Sequence, residues 1–152
     1  MLLGVYLHFP FSEEDLEEAY KTIFVGNEFV DEYGQSYEEY FITDYEAPFS
    51  ISEYDFPQAL AEKYNKLEDY FSYPKEVIQY IADNTGKEVN IIYLGGNSRL
   101  NDHEKMGHSL TALGYFEVPH KLLTYIDYEA LGKDFLINTS GEIIGDYFID
   151  IN

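Results

Sequence analysis

Apolar and polar residues alternate at the start of the chain. Leu3, Val5, Leu7 and Phe9 fall on one face of residues 2–9, which predicts a β-strand ended by Pro10. Ser12-Glu13-Glu14-Asp15 then has the form of a capping box, a hydroxyl followed three residues on by a carboxylate. Leu16, Ala19, Tyr20, Ile23 and Phe24 follow at helical spacing, so an amphipathic helix is expected over 13–24. Residues 28–33 and 37–45 are β-prone, and Pro48 closes the second run. Pro57 opens a helical stripe of Leu60, Tyr64, Leu67 and Phe71 over 57–71. Pro74 opens another with Val77, Ile78, Ile81 and Ala82 on one face, and Gly86 is its expected stop.

The second half reads similarly. Residues 88–94 predict a strand, followed by a turn at Gly95-Gly96-Asn97. Asn101 and Glu104 fit a cap for a helix carrying Met106, Leu110 and Leu113, with Gly114 at its end. Pro119 is expected to start a helix with Leu122, Leu123, Ile126 and Ala130, closed by Gly132. Residues 134–138 and 142–150 would pair as a hairpin around Thr139-Ser140-Gly141. The fold class is therefore α+β, with three small subdomains in series: a sheet and helix over 1–56, a helical middle over 57–87, and an α+β part over 88–152. Asp44-Tyr45-Glu46-Ala47 recurs as Asp127-Tyr128-Glu129-Ala130, a short echo in a chain rich in these residue types.

Composition sharpens this. Hydrophobic residues make up 45% of the 152, among them 16 Tyr and 11 Phe, so the chain has material for a core and does not read as disordered. Asp and Glu number 29 against 9 Lys and Arg, a formal net charge of −20. That balance argues against direct nucleic-acid binding and against anionic membrane surfaces. No window approaches the ~20 apolar residues of a spanning helix. The apolar start, Met1 to Phe11, is short and lacks a basic leading region, so a signal peptide is not expected. With no Cys there is neither a disulfide nor a thiolate, and a reducing cytoplasm is the expected location.

Catalytic patterns are scarce. His103 and His108 are five apart, which does not stack them on a helix, and no HExxH or EF-hand spacing occurs. Gly107-His108-Ser109-Leu110-Thr111 has Thr where a nucleophile elbow needs Gly, and it falls in a predicted helix. Gly95-Gly96 lacks the spacing that cradles phosphates. Asn138-Thr139-Ser140 fits a glycosylation sequon without any sign of secretion. Carboxylate pairs are everywhere, so none is singled out as an acid/base couple. A small carboxylate-dependent hydrolase is the less favoured alternative, since it needs a cleft that three small subdomains offer little scaffold for. No catalytic residue, cofactor or metal ligand is expected.

The placement of the acids is more informative. Residues 1–76 hold 18 acids and 4 Lys, net −14; residues 77–152 hold 11 acids and 5 basic residues, net −6. Twenty charges equal those on roughly 34 Å of B-form duplex, about ten base pairs, at one charge per ~1.7 Å. Carboxylates displayed at phosphate-like intervals could occupy a protein's DNA groove. The candidates are Glu13, Glu14, Asp15, Glu17, Glu18, Glu28, Asp31, Glu32, Glu38, Glu39, Asp44, Glu46, Glu53, Asp55, Glu62, Glu68 and Asp69. An ordinary acidic protein, or one adapted to high salt, fits composition alone. Tyr20, Tyr64 and Tyr80 lie on or beside apolar stripes and are assigned to cores; Tyr33, Tyr37 and Tyr45 sit among acids and are assigned to the surface.

Two segments carry a family resemblance. One is Tyr37-Glu38-Glu39-Tyr40-Phe41-Ile42-Thr43-Asp44-Tyr45-Glu46-Ala47-Pro48-Phe49. The other is Glu117-Val118-Pro119 followed by Tyr125-Ile126-Asp127-Tyr128-Glu129-Ala130-Leu131-Gly132-Lys133-Asp134. Together they resemble the ArdA family of antirestriction proteins, which conjugative plasmids and transposons carry. The likeness extends loosely from residue 4 to about 135. It implies an elongated homodimer of three-subdomain chains that mimics bent B-form DNA and blocks the groove of type I restriction-modification enzymes. It also implies a dimer and antirestriction motif at Glu117, Tyr125, Asp127, Tyr128, Glu129 and Asp134. A CRISPR effector or a nucleoid protein is the alternative target. Two departures stand out. The strand that usually precedes the segment matching 4–11 is missing, and Lys133 replaces the familiar Arg, which loses a bidentate contact.

Overall fold

The computed structural model describes residues 3–23, 25–30, 33, 36–37, 40–84, 86 and 88–152. The chain is mixed α+β. Its described residues form five α-helices, two 3-10 helices and five strands, and they divide into two compact units, Met1–Ser72 and Tyr73–Asn152.

In the first unit, helix α1 (Glu13–Thr22) starts as the sequence predicts. Ser12 Oγ accepts from the Asp15 backbone N–H at 3.1 Å, and the Asp15 carboxylate accepts from the Ser12 N–H at 2.9 Å. This satisfies two of the unpaired N–H groups at the helix start. The helix buries Leu16. Strands β1 (Gly26–Val30) and β2 (Ser36–Tyr37) pair antiparallel with an irregular register. Helix α2 (Pro57–Leu67) has Pro57 in its first turn, where a missing N–H costs nothing. It buries Leu60 and Leu67 and continues as a 3-10 turn, Glu68–Tyr70.

The predicted strand over 2–9 is not formed by the described residues 3–9, which have no ladder partner. Leu3 and Val5 remain 41% and 46% exposed. Only the end of the alternating stripe is used, in a cluster of rings. Phe9 stacks parallel on Tyr64 at 4.9 Å, meets Phe49 edge-on at 6.0 Å and lies 5.3 Å from Phe11. Tyr64 in turn meets Phe71 at 5.0 Å. Of the β-prone run 37–45, Tyr37 ends the two-residue β2, residues 38 and 39 lie outside the described residues, and 40–56 carries no regular element. Aromatic and β-branched residues favour an extended backbone, but a strand also needs a partner to receive its hydrogen bonds.

In the second unit, helix α3 (Lys75–Asp83) follows Pro74 and buries Val77, Ile78 and Ile81. Strands β3 (Val89–Tyr93), β4 (Glu142–Ile144) and β5 (Tyr147–Ile151) form an antiparallel sheet in the order β3-β5-β4. Ile91 faces Ile149 across β3 and β5, and Ile144 faces Tyr147 across β4 and β5. Successive residues Phe148 and Ile149 are both buried, so central β5 is covered on both faces. Phe148 joins Ile92, Leu94, Met106 and Leu110, with Phe135, Leu136 and Ile143 packed against them. Helix α3 packs on β4 and β5.

Helix α4 (Asp102–Ala112) has the predicted capping box: Asn101 Oδ1 accepts from the Glu104 N–H, and the Glu104 carboxylate from the Asn101 N–H, both at 2.9 Å. Gly114 takes φ +76° just past its end. The helix expected from Pro119 to Gly132 is instead two elements. A 3-10 helix, His120–Tyr125, ends at extended Ile126, and Asp127 caps a new helix α5 (Tyr128–Ile137) by accepting from the Ala130 N–H at 3.0 Å. Residues 134–138, expected as a strand, are therefore mostly the last turn of α5. Tyr128, Leu131, Phe135 and Leu136 keep helical spacing through the β-prone run. The hairpin forms later, between β4 and β5 around Gly145 (φ +60°) and Asp146.

Gly132 is not a stop. It is buried in the middle of α5, where a Cβ would collide with the His103 carbonyl and lie 2.8 Å from the Gly107 nitrogen. A Cβ on Gly107 would in turn meet the Tyr128 carbonyl. The two glycines let the α4 and α5 backbones touch. Gly132→Ala is accordingly expected to destabilise the second unit by at least about 2 kcal/mol through overpacking, although Ala is the better helix former. Urea melts followed by circular dichroism check this; an unchanged or raised midpoint would contradict the contact.

Candidate functional site

Two regions hold the residues singled out from sequence, one in each unit. In the first unit the helix α1 fixes five acids by its period. Glu13 and Glu17, and Glu14 and Glu18, are four apart on exposed positions. A rise of 1.5 Å per residue spaces each pair about 6 Å along the axis. Glu13, Glu14 and Asp15 occupy the first turn, where the helix dipole favours anions. Hydrogen bonds from the Ser12 backbone N–H and then its side chain hold the Asp15 carboxyl below its ordinary pKa.

Glu62 on α2, Glu68 and Asp69 in the following 3-10 turn, and Asp44, Glu46 and Glu53 in the irregular segment are also exposed. Asp55 differs. It is half-buried, and its carboxylate accepts from the Ser52 N–H at 2.7 Å, which makes it part of a turn. Asp31, Glu32, Glu38 and Glu39 lie outside the described residues, as do the side chains of Glu28 and Tyr37. The charge asymmetry seen along the chain follows the structural division: the unit Met1–Ser72 has 17 acids against 3 Lys, net −14, and Tyr73–Asn152 has 12 acids against 6 basic residues, net −6.

The tyrosines singled out from sequence differ in exposure. Tyr20 is half-buried with its ring 5.2 Å from that of Tyr40, and burial, with the Tyr40 hydroxyl next, holds its phenol well above the usual range. Tyr64 and Tyr80 are likewise half-buried, whereas Tyr33 and Tyr45 are exposed. Burial pushes the Tyr80 phenol up as well, with the charges of Glu142 and Asp150 adding to it.

In the second unit the motif residues separate into scaffold and surface. Asp127 is the N-cap of α5. Tyr128 stacks on His108 of α4 at 3.7 Å and 15°, and its hydroxyl donates to the Leu123 carbonyl at 2.7 Å. These contacts tie α5, α4 and the 3-10 helix together. Tyr125, at the end of that 3-10 helix, is 83% exposed. Glu117, Glu129 and Asp134 are exposed too. The sequence reading did not single out the His108–Tyr128 stack or the Gly107–Gly132 contact. The available signal was the pair of small residues inside two amphipathic helices.

Chemically, this is a distribution of negative charge over exposed positions. Among the described residues no three His, Asp or Glu side chains are grouped to hold a metal ion, and no helix is long and apolar enough to cross a membrane.

A family model described as antirestriction protein (ArdA) matches residues 1–149. No curated protein matches the chain.

The uneven charge predicts uneven salt dependence. Raising ionic strength from 0.01 M to 1 M shortens the Debye length from about 30 Å to about 3 Å. Amide protection in α1 and α2 is expected to rise more than in α4 and α5, as hydrogen exchange would report. The cap bond to Asp15 is expected to stabilise α1 above pH 3.8 and to be lost only as pH falls through the lowered folded value. Carboxyl NMR titration measures this directly, and an Asp15 midpoint at or above 3.8 would contradict it.

Proposed function

The chain belongs to the antirestriction protein (ArdA) family, and on that premise we propose that it acts as a non-enzymatic, acidic stand-in for B-form DNA, occupying the DNA-binding groove of type I restriction-modification enzymes. Antirestriction is what family membership supports; the mimicry and the target are our reading. The observation that carries it is the first unit, with 17 acids against 3 Lys and its described acids, Asp55 apart, on exposed positions. A groove built to neutralise phosphates attracts such a field and the field repels DNA itself. The proposed location is the cytoplasm, where such enzymes meet DNA.

The same reading places contact with a second copy at Glu117, Tyr125, Asp127, Tyr128, Glu129 and Asp134. Supporting it, Tyr125 is a large exposed ring on a scaffold fixed by the Asp127 cap and the Tyr128 hydrogen bond. An aromatic anchor on a rigid base suits an interface. Tyr125→Ala is expected to weaken self-association by about tenfold or more. Light scattering across a concentration series measures this. A mass independent of concentration and of the substitution would refute the contact.

The target is tested by competition with labelled DNA for a purified type I methyltransferase. Displacement is expected at low salt, weakening as salt rises. Failure to displace at micromolar protein and low salt would falsify the proposal.

A further inference from the structure

Residues 42–53 form a closed loop. The Ile42 N–H donates to the Glu53 carbonyl at 2.8 Å, and the Ser52–Asp55 turn follows directly. Phe49 is the loop's anchor: it is 2% exposed, edge-on to Phe9 and under Lys63 Nζ at 5.1 Å from the ring centroid. A loop closed at its base and pinned by one of its own side chains holds its exposed side chains in place. What it presents is an alternation of acids and rings. Asp44, Tyr45 and Glu46 are exposed in the loop, and Phe41 and Tyr54 flank the closing bond. Tyr54 and Phe56 are 75% and 69% exposed.

Acids alone would be a solvated surface. Tyr45, Tyr54 and Phe56, exposed in the same stretch of chain, add ring faces to the charge, and the net −14 of this unit selects a cationic partner. Of the two basic side chains, arginine answers both features. Its planar fork binds a carboxylate bidentately, and its face stacks on an aromatic ring. Lysine is a point charge that gains little from the rings' spacing. We infer that the 42–53 loop and its flanks read arginine on the DNA-binding face of a partner protein: Asp44 and Glu46 take the places of phosphates, and Tyr45, Tyr54 and Phe56 take the guanidinium planes. The inference rests on the proposed function for the identity of that partner.

The test uses the full chain and an arginine-rich peptide with its lysine counterpart of equal length, titrated by calorimetry at two salt concentrations. The native chain is expected to prefer the arginine peptide by about tenfold. The variant Tyr45→Leu, Tyr54→Leu, Phe56→Leu keeps the charge and the apolar bulk, and its preference is expected to fall to about twofold or less. The variant Asp44→Asn, Glu46→Gln is expected to weaken both peptides and flatten the salt dependence. Thermal melts verify folding; should the triple variant unfold, Tyr54→Leu alone is expected to cut the preference about threefold. Equal binding of the two peptides, or a preference that survives loss of the rings, overturns the inference. Loss of preference in the variants with no displacement of DNA from the methyltransferase leaves the inference standing and removes the target. Displacement without an arginine preference does the reverse.

Discussion

Two carboxylates about 6 Å apart on one helix face repel each other by a few tenths of a kcal/mol, and α1 carries two such pairs in a row, Glu13 with Glu17 and Glu14 with Glu18. The same repulsion is repeated across a unit with net charge −14. Much of the local structure is an answer to it. Glu13, Glu14 and Asp15 sit where the helix dipole favours anions, and Asp15 is further stabilised by the bonds that Ser12 makes to it. The start of α4 repeats the device with Asp102 and Glu104 in the first turn and Asn101 as cap. These first-turn acids sit where the backbone compensates them.

What opposes the repulsion in the first unit is a small set of side chains: Leu16, Phe49, Leu60 and Leu67, with the rings of Phe9, Phe11, Tyr64 and Phe71. Aromatic side chains suit a thin core, because each buries 150–250 Å², and ring pairs add about 0.5–1.5 kcal/mol beyond area. This explains why residues 3–11 dock through Phe9 rather than through a ladder. The second unit, with less charge to hold, is built more conventionally. Its sheet has cover on both faces of β5, and its helices α4 and α5 touch backbone to backbone at Gly107 and Gly132.

The parts legible in the sequence are those set by neighbours in the chain. Both capping boxes, the Pro57 and Pro74 helix starts and the β3 strand follow from spacing within a few residues, and all five are present. The parts misread depend on distant partners. Leu3, Val5 and Leu7 alternate as a strand does, but among the described residues no strand pairs with them. Gly132 resembles a stop until α4 is seen lying against it. Residues 134–138 are β-prone, yet Asp127 caps a helix whose inward face is Gly132, Phe135 and Leu136. The charge split needed no structure to be noticed. That it follows the two units did, since the boundary at Ser72 is set by packing.

Charge and rings act at different ranges, which bears on how an acidic surface becomes selective. A field of exposed carboxylates steers any basic partner and fades within a Debye length, about 8 Å at physiological salt. Taken alone it would accelerate encounter with many DNA-binding proteins and hold none of them firmly. Short-range contacts decide which encounters persist, and they need rigid side chains that carry area without adding charge. Tyr and Phe meet that need, because a ring loses few rotamers on contact and presents a face as well as an edge. The first unit keeps such rings exposed, Tyr45 on the loop pinned by Phe49 and Phe41, Tyr54 and Phe56 on its flanks, while other rings of the same unit form its core. The aromatics of this unit thus divide between a core and exposed positions on and around the loop, a division that net charge alone does not specify.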